Sequence, residues 1–477
     1  STATSVGGQY FRNDQNTSFL GGMGFPGTGI ETVSGTAQQV TATQQQVLNT
    51  TLGAFAQEKF TWRDRVYLTA ALRVDNNSAF GEDLKWVTYP KFDASWVVSD
   101  ESFWPWKDLL PSFRLRGAYG ESGRAPNTFA ALRTFSPVQG PGGTNAVSPG
   151  SIGNPDLKPE RGKELELGFE AAFRDRVSLD FTYFNKKTED VIINQPVAPS
   201  SGFPGNRPVN LGRVDNHGME LLATVKAFQS PNWDWDVSAS IATNKDEIKD
   251  LGGLPNVIVT FGQNNAVGGP IGGFYSKVVA TADRDTAGRA TNVMCASSTG
   301  AAVACAQAPL LLIGTPTPKT SGSVSNTMTI FKNLRLYALV DFKRGHRIFN
   351  ATELLRCTGA VGVPFCDVNY NPRNYPVQYV AETAGNALAQ SLADQYVQDA
   401  SFAKLREISA TYTLPKRLIP GTSSASFTLA ARELHTWTDY RGIDPEVSSA
   451  GTGIATSQEQ AIMPPLTRII ATLNVRF

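Results

Sequence analysis

Between Lys163 and Lys186 the chain reads KELELGFEAAFRDRVSLDFTYFNK. Leu165, Leu167, Phe169, Ala171 and Phe173 fall on one side of an extended backbone, with Glu164, Glu166, Gly168, Glu170 and Ala172 on the other. After Arg174–Arg176 the alternation resumes, with Val177, Leu179, Phe181 and Tyr183 against Ser178, Asp180, Thr182 and Phe184. Side chains of a strand alternate between faces, so the pattern predicts two antiparallel strands joined by a tight turn. Each strand is about ten residues long, whereas strands of globular proteins run nearer five or six. Strands of roughly 9–11 residues, apolar on one face and polar on the other, are what a membrane-spanning β-barrel requires. A soluble β-sandwich shows the same alternation, so repetition along the chain has to decide.

The design repeats. Thr51–Phe60 with Val66–Val74, Gly218–Phe228 with Trp233–Thr243, and Lys319–Ile330 with Leu334–Lys343 form hairpins around short turns. Trp86–Ser99, Phe113–Tyr119, Phe402–Leu414, Ser424–Arg432 and Leu466–Phe477 add single strands, and Ile271–Thr281 a weaker one. Residues 1–50, rich in Gly, Thr, Ser and Gln, have no sustained period and read as a long loop. Short turns at 61–65, 174–176, 229–232 and 331–333 alternate with long connections at 121–162, 187–216, 344–401 and 434–464. Outer-membrane barrels sort their connections in this way, short turns inside and long loops outside, and a sandwich has no reason to. Between residues 243 and 319 the parity fails. The sequence therefore predicts one more strand, at Val257–Phe261 or Pro309–Ile313, for about 14–15 in all. The strand beginning near Thr51 is expected to pair with chain lying upstream of this sequence.

Composition closes off other classes. Acidic and basic residues nearly cancel, 42 against 43, with no polybasic run, so nucleic acid is not an expected partner. No apolar run approaches the roughly 18 residues of a spanning helix. Ser1 opens a polar stretch with no basic-then-apolar leader, so the chain is expected to be mature or a fragment. Cys295/Cys305 and Cys357/Cys366 fall as two local pairs in loop-like sequence. Local disulfides in an oxidising compartment are the first reading and unpaired thiols the second, with a zinc site behind both.

Several segments resemble one family. TLGAFAQEKFTWRDRVYLTAALRVDNNSAFG (51–81), YPKFDASWVVSDESF (89–103), FRLRGAYGESG (113–123) and GNPDLKPE (153–160) are similar to the barrel of SusC/RagA-type TonB-dependent outer-membrane transporters. LGRVDNHGMEL (211–221), WDWDVSASIATNKDEI (233–248), SFAKLREISATYTLP (401–415) and HTWTDYRGIDPEV (435–447) continue the match in order, and the terminal LNVRF resembles a barrel-assembly signal. The family's plug domain, TonB box and N-terminal regulatory-like domain are not in this sequence. The resemblance therefore implies the C-terminal portion, residues 51–477, of a plugged barrel of about 22 strands, with 1–50 a loop or strand remnant of upstream barrel. It implies an active nutrient importer in the bacterial outer membrane, working with TonB and a SusD-like lipoprotein on a glycan or peptide, without cofactor or enzymatic chemistry. A passive porin-like channel and a surface adhesin or structural barrel are the alternatives.

Carboxylates such as Glu164/Glu166 and Asp234/Asp236 alternate with apolar residues, which suits a wet lumen lined also by Arg335 and Asp341 better than acid/base catalysis. The sequence holds no GxSxG, HExxH or Walker-type loop, and His217, His346 and His435 lie far apart. Trp62, Trp104, Trp106, Trp233 and Trp235 lie near the short turns, where indole rings suit a headgroup-level girdle. Tyr370, Tyr375, Trp437 and Tyr440 lie in the long connections and are the candidates for contact with a solute, loop packing being their other reading. Asp439, Asp444 and Glu446 have no EF-hand spacing to support calcium.

Overall fold

The computed structural model describes residues 1–29, 31–81, 86–203, 205–254, 256–260, 262–358, 365–383, 392–415, 421–449 and 457–477. Among these, fourteen strands form one sheet. They are β1 (Thr2–Met23), β2 (Gln38–Trp62), β3 (Val66–Asn77), β4 (Val87–Val97), β5 (Ser112–Arg124), β6 (Glu160–Phe173) and β7 (Val177–Pro196). The series continues with β8 (Asn206–Gln229), β9 (Trp233–Leu251), β10 (Thr320–Ile330), β11 (Leu334–Arg344), β12 (Phe402–Leu414), β13 (Ser424–Thr438) and β14 (Arg468–Arg476). Every strand neighbours the one before it in sequence, so the sheet is a meander. Three hairpins close through two residues at positive φ, Arg63–Asp64, Arg174–Asp175 and Phe331–Lys332. In each, the residue after the pair donates its N–H to the carbonyl just before it, as Arg176 does to Phe173 at 2.9 Å. Two successive positive-φ residues match the turn to the twist of the strands. No glycine announces them.

Two expectations are corrected. Residues 1–50 are not a long loop: β1 and β2 pair antiparallel from Thr2↔Phe60 to Met23↔Gln38. The strand through Thr51 thus finds its partner inside this chain. The pairing is sewn by polar side chains, with Gln44 donating to Asn16 at 3.1 Å and Gln46 to Asp14 at 3.0 Å. Both faces of this ribbon mix polar with apolar side chains, Val6, Tyr10 and Leu20 on one and Phe11 and Phe19 on the other, so no apolar period marks it. Second, β9 passes directly to β10, from Trp233↔Ile330 to Thr243↔Thr320, with no further wall strand between. Ile271–Thr281 is divided between two small separate sheets: Gly273–Ser276 joins 256–260, 263–266 and 311–314, and Val279–Arg284 joins 290–296 and 302–304. Asn256–Thr260 and Leu311–Gly314 are strands of the first small sheet, not of the wall, and Phe261 lies outside the described residues.

The chain divides into two compact units. In the first (Ser1–Ala94, Ala118–Leu165, Lys187–Arg213), the GNPDLKPE segment is tightly held. Leu157 has no exposure, and a Cβ on Gly81 would overlap the Pro155 carbonyl, so only glycine allows that approach. Lys158 and Asn210 exchange two hydrogen bonds of 2.8 Å, and Asn154 donates to the Pro208 carbonyl. The 121–162 connection therefore meets β8, and the long connection expected at 187–216 is largely strand, since β7 runs on to Pro196 and β8 starts at Asn206.

In the second unit (Ser95–Gly117, Glu166–Lys186, Val214–Phe477), Arg347–Asn350 pairs with both Val397–Asp399 and Gln458–Glu459, joining the 344–401 and 434–464 connections. Short turns and the end of β12 are neighbours there: Phe331 donates to the Asn232 carbonyl and Thr413 to that of Asn333.

The faces of the wall decide its surroundings. Leu165 and Leu167 are 42% and 50% exposed while the alternating Glu164 and Glu166 are half-buried. Trp233, Trp235, Leu336, Ile408 and Leu429 are likewise exposed, against half-buried Asp234 and Asp236. A soluble sandwich buries the apolar face. This sheet presents it, as a wall facing lipid does. No described helix is long and apolar enough to cross a membrane.

Candidate functional site

The best-built site sits where β11, β12 and β13 give way to the long connections. β12 carries a bulge, with the register shifting between Leu405 and Glu407, and β13 makes a matching irregularity at Glu433, whose φ is +53°. A bulge adds a residue out of phase. It lets Lys404 and Arg406 point to the polar face while Ile408, Ala410 and Tyr412 keep to the apolar one. Arg406 is the hub. Its Nε and Nη2 donate to both carboxylate oxygens of Asp341 at 2.7 and 2.9 Å, its Nη1 to Glu433 at 3.1 Å, and its Nη2 to Glu446 Oε2 at 2.6 Å. Lys404, its side chain 2% exposed, donates to both oxygens of Asp444 at 2.9 Å, and Lys343 to Glu446 Oε1 at 3.1 Å. Phe402 lies within cation–π reach of all three cations.

This network ties the 439–449 segment to three wall strands. Burial alone would raise the Glu446 carboxyl, but the Arg406 and Lys343 contacts outweigh it and hold it down at about 2. His346 lies alongside, its ring edge-on to Phe402 at 6.4 Å. Burial, helped by Lys343, lowers it to about 4, so it is neutral at physiological pH. Asp444 and Glu446 are satisfied by cations, and no cluster of potential metal ligands occurs among the described residues.

Beyond the network the connections have an ordinary core. Phe274, Phe349, Leu354, Tyr396 and Val397 pack together around α1 (Ala351–Thr358). Asn350 starts that helix by accepting from the Glu353 N–H at 2.8 Å. Cys295 is bonded to Cys305 and Cys357 to Cys366. The four aromatic candidates fare differently. Tyr370 is 64% exposed and Trp437 51%, the latter edge-on to His435. Tyr375 donates to Asp367 at 3.1 Å and packs on Tyr379 of α2 (Val377–Thr383). Tyr440 is buried, donating to Glu459 Oε2 at 2.7 Å, which also accepts from the Ile443 N–H. Its place is inside the loop layer. Among the five tryptophans near the turns, Trp62, Trp106, Trp233 and Trp235 are exposed, and Trp104 stacks on Phe113 at 5.5 Å.

A family described as TonB dependent receptor-like, beta-barrel, matches residues 1–302. The chain belongs to that family. It is 25% identical over 458 residues to TonB-dependent receptor P26 of Formosa agariphila, covering 89% of this chain and 46% of that protein. It is 26% identical over 214 residues to TonB-dependent receptor SusC of Bacteroides thetaiotaomicron, covering 43% of this chain and 21% of that one. The RagAB peptide importer in its closed-closed state superposes with a TM-score of 0.81 at 21% identity, over 99% of this chain and 53% of that one, which establishes a shared fold. The chain thus spans about half the length of the curated relatives it matches along most of its length. As a wall of a TonB-dependent receptor β-barrel it lies in the outer membrane, its exposed apolar face against lipid and its charged face toward the lumen. The family is one of transporters and receptors rather than enzymes.

Proposed function

We propose that these residues supply the wall and loop layer of an importer that brings a large nutrient, a glycan or a peptide, across the outer membrane. Residues 51–477 correspond in this reading to the C-terminal barrel portion, and 1–50 to a strand pair of the same barrel. Solute is taken up on the loop side together with a SusD-like surface lipoprotein, and TonB, drawing on the proton-motive force, displaces a plug from the lumen. The observation that carries the reading is the charged inner face. Arg114 pairs with Glu170, Arg116 with Asp180, and Arg406 with Asp341, on a sheet whose other face is apolar. Such a face suits a wet lumen, and in a barrel of about 22 strands a wet lumen needs a plug to hold a permeability barrier.

The test is uptake by cells carrying the full-length protein, with and without a functional TonB system. Uptake should fall to background without TonB. Undiminished uptake would make the protein a passive channel, and no uptake in either strain an adhesin or structural barrel.

A further inference from the structure

On the bilayer-facing side of β9–β13 the wall is notched. Trp235, Leu336, Ile408 and Leu429, between 37% and 49% exposed, rim a groove of about 530 Å³. Its floor includes Ala338, Ala410 and Ala431. Register makes the notch. Leu336, Ala410 and Leu429 lie opposite one another in one row, and Ala338, Ile408 and Ala431 in the next, so small side chains interrupt large ones. The groove crosses five strands. At a spacing of about 4.8 Å that is roughly 19 Å, the reach of a long-chain acyl group.

One lining residue does not suit hydrocarbon. Asn326 stands on the lipid side of β10, in phase with exposed Val324, while Ser323 on the opposite face meets Ser240 at 2.9 Å. Trp235 Nε1 donates to Asn326 Oδ1 at 3.4 Å, and the Asn326 amide group makes no other side-chain hydrogen bond among the described residues. An amide N–H in lipid without an acceptor is costly. Its depth suggests the partner. Trp235 lies two residues into β9 beside a short turn, where barrels place the periplasmic interface, and Asn326 pairs with Val237, one same-face row deeper. Glycerol ester carbonyls lie just beneath the headgroups, at that level.

We propose that this groove seats one acyl chain of a periplasmic-leaflet glycerophospholipid, whose ester carbonyl accepts a hydrogen bond from Asn326 Nδ2. The occupant follows from continuity: the groove is part of the face the bilayer covers, and its side-chain amide sits where an amphiphile changes from polar to apolar. The test is native mass spectrometry of the full-length protein in mild detergent, titrated with a palmitoyl-oleoyl phosphatidylethanolamine and with its ether-linked analogue, which lacks ester carbonyls. One ester lipid should be retained per chain, several-fold more tightly than the ether lipid. Ala338→Phe with Ala410→Phe, which fills the groove from the lipid side, should cut retention at least tenfold. Asn326→Leu should keep a lipid bound but lose the preference for the ester. Folding of each variant is read from its heat-modifiable mobility on a gel. The proposal falls if the native chain retains no lipid, if the filled variant retains as much, or if the ester preference survives Asn326→Leu. It falls equally if two copies of the chain occupy the groove as a dimer that the filled variant dissociates.

Discussion

The wall and the loop layer use the same apolar residues in opposite ways. In β6 and β9–β13, Leu167, Trp235, Leu336 and Leu429 stand exposed, and the charges between them are half-buried. In the 252–319 and 345–401 connections Phe274, Leu354, Tyr396 and Val397 are buried, and Tyr370 and Arg373 face outward. The loop layer obeys the rule of water-soluble domains, in which burial removes apolar surface from water. The wall obeys the rule of a chain whose solvent is hydrocarbon, where backbone groups must pair within the sheet and apolar side chains need no shelter. Both disulfides belong to the loop layer. Small clusters there bury little surface each, and covalent links offset that shortage.

The Arg406 network is the join between these regimes, and breaking it should have the largest effect. Arg406→Ala leaves Asp341, Glu433 and Glu446 without their shared cation, a loss of about 3–5 kcal/mol for a buried charge stripped of its partner. Hydrogen exchange in residues 439–449 should accelerate accordingly, while β6 and β7 stay protected. Equal acceleration in those strands would mean the network supports the wall itself.

The next comparison places one kind of change in both solvents. Leu354→Ala should destabilise the loop layer by about 2–5 kcal/mol, because it empties a packed core. Leu167→Ala on the lipid face should cost under about 1 kcal/mol, since lipid fills the space. Leu167→Arg should cost about 2–4 kcal/mol if the site lies at the bilayer midplane. Refolding titrations into lipid vesicles measure the wall variants, and limited proteolysis the loop one. A Leu167→Ala cost as large as that of Leu354→Ala would remove the contrast.

The last contrast is the response to acid, spread over several pH units. His346 in the folded chain is lowered from 6.5 to about 4, so between these values the unfolded loop binds the extra proton and stability falls as pH falls. The full interval corresponds to at most about 3–4 kcal/mol. Glu446, lowered from 4.5 to about 2, adds its own loss as the pH falls through that lower interval. Protease resistance of the 345–401 connection should therefore decline from pH 6.5 to 4 in the native chain. It should change less in His346→Phe. A decline unchanged in that variant would assign the titration elsewhere.

What the sequence conveys follows from the same division. Wall strands such as β6 and β9 are legible because one face is apolar and the other polar, which imposes a period of two. β1 and the first half of β2 mix polar and apolar residues without a preferred face and lose that signal, although they pair without a break for twenty residues, from Thr2 to Gly21. Ile271–Thr281 misleads for the opposite reason: its β-branched and aromatic residues serve small loop sheets whose composition resembles a wall strand. The Arg406 site left a trace. Lys404 and Arg406 fall in phase with Ile408, Ala410 and Tyr412, a mixture no single face tolerates unless a bulge intervenes. Tyr440 is an ambiguity that no pattern resolves, since an aromatic residue in a loop serves packing and contact equally well.

The meander has a consequence for how the molecule is put together. A strand that pairs with its sequence neighbour can add as soon as the preceding hairpin exists, so each step closes only the connection between them. For β10 and β11 that is a three-residue turn; for β9 and β10 it is a connection of roughly 70 residues, which raises the closure entropy by about 3 kcal/mol. The small sheets and the Cys295–Cys305 link bring distant parts of that connection together. A connection already folded into its own compact piece is a short tether between strand ends. The loop layer is then part of the assembly route of the wall, and reducing its disulfides should slow insertion most at the β9–β10 junction.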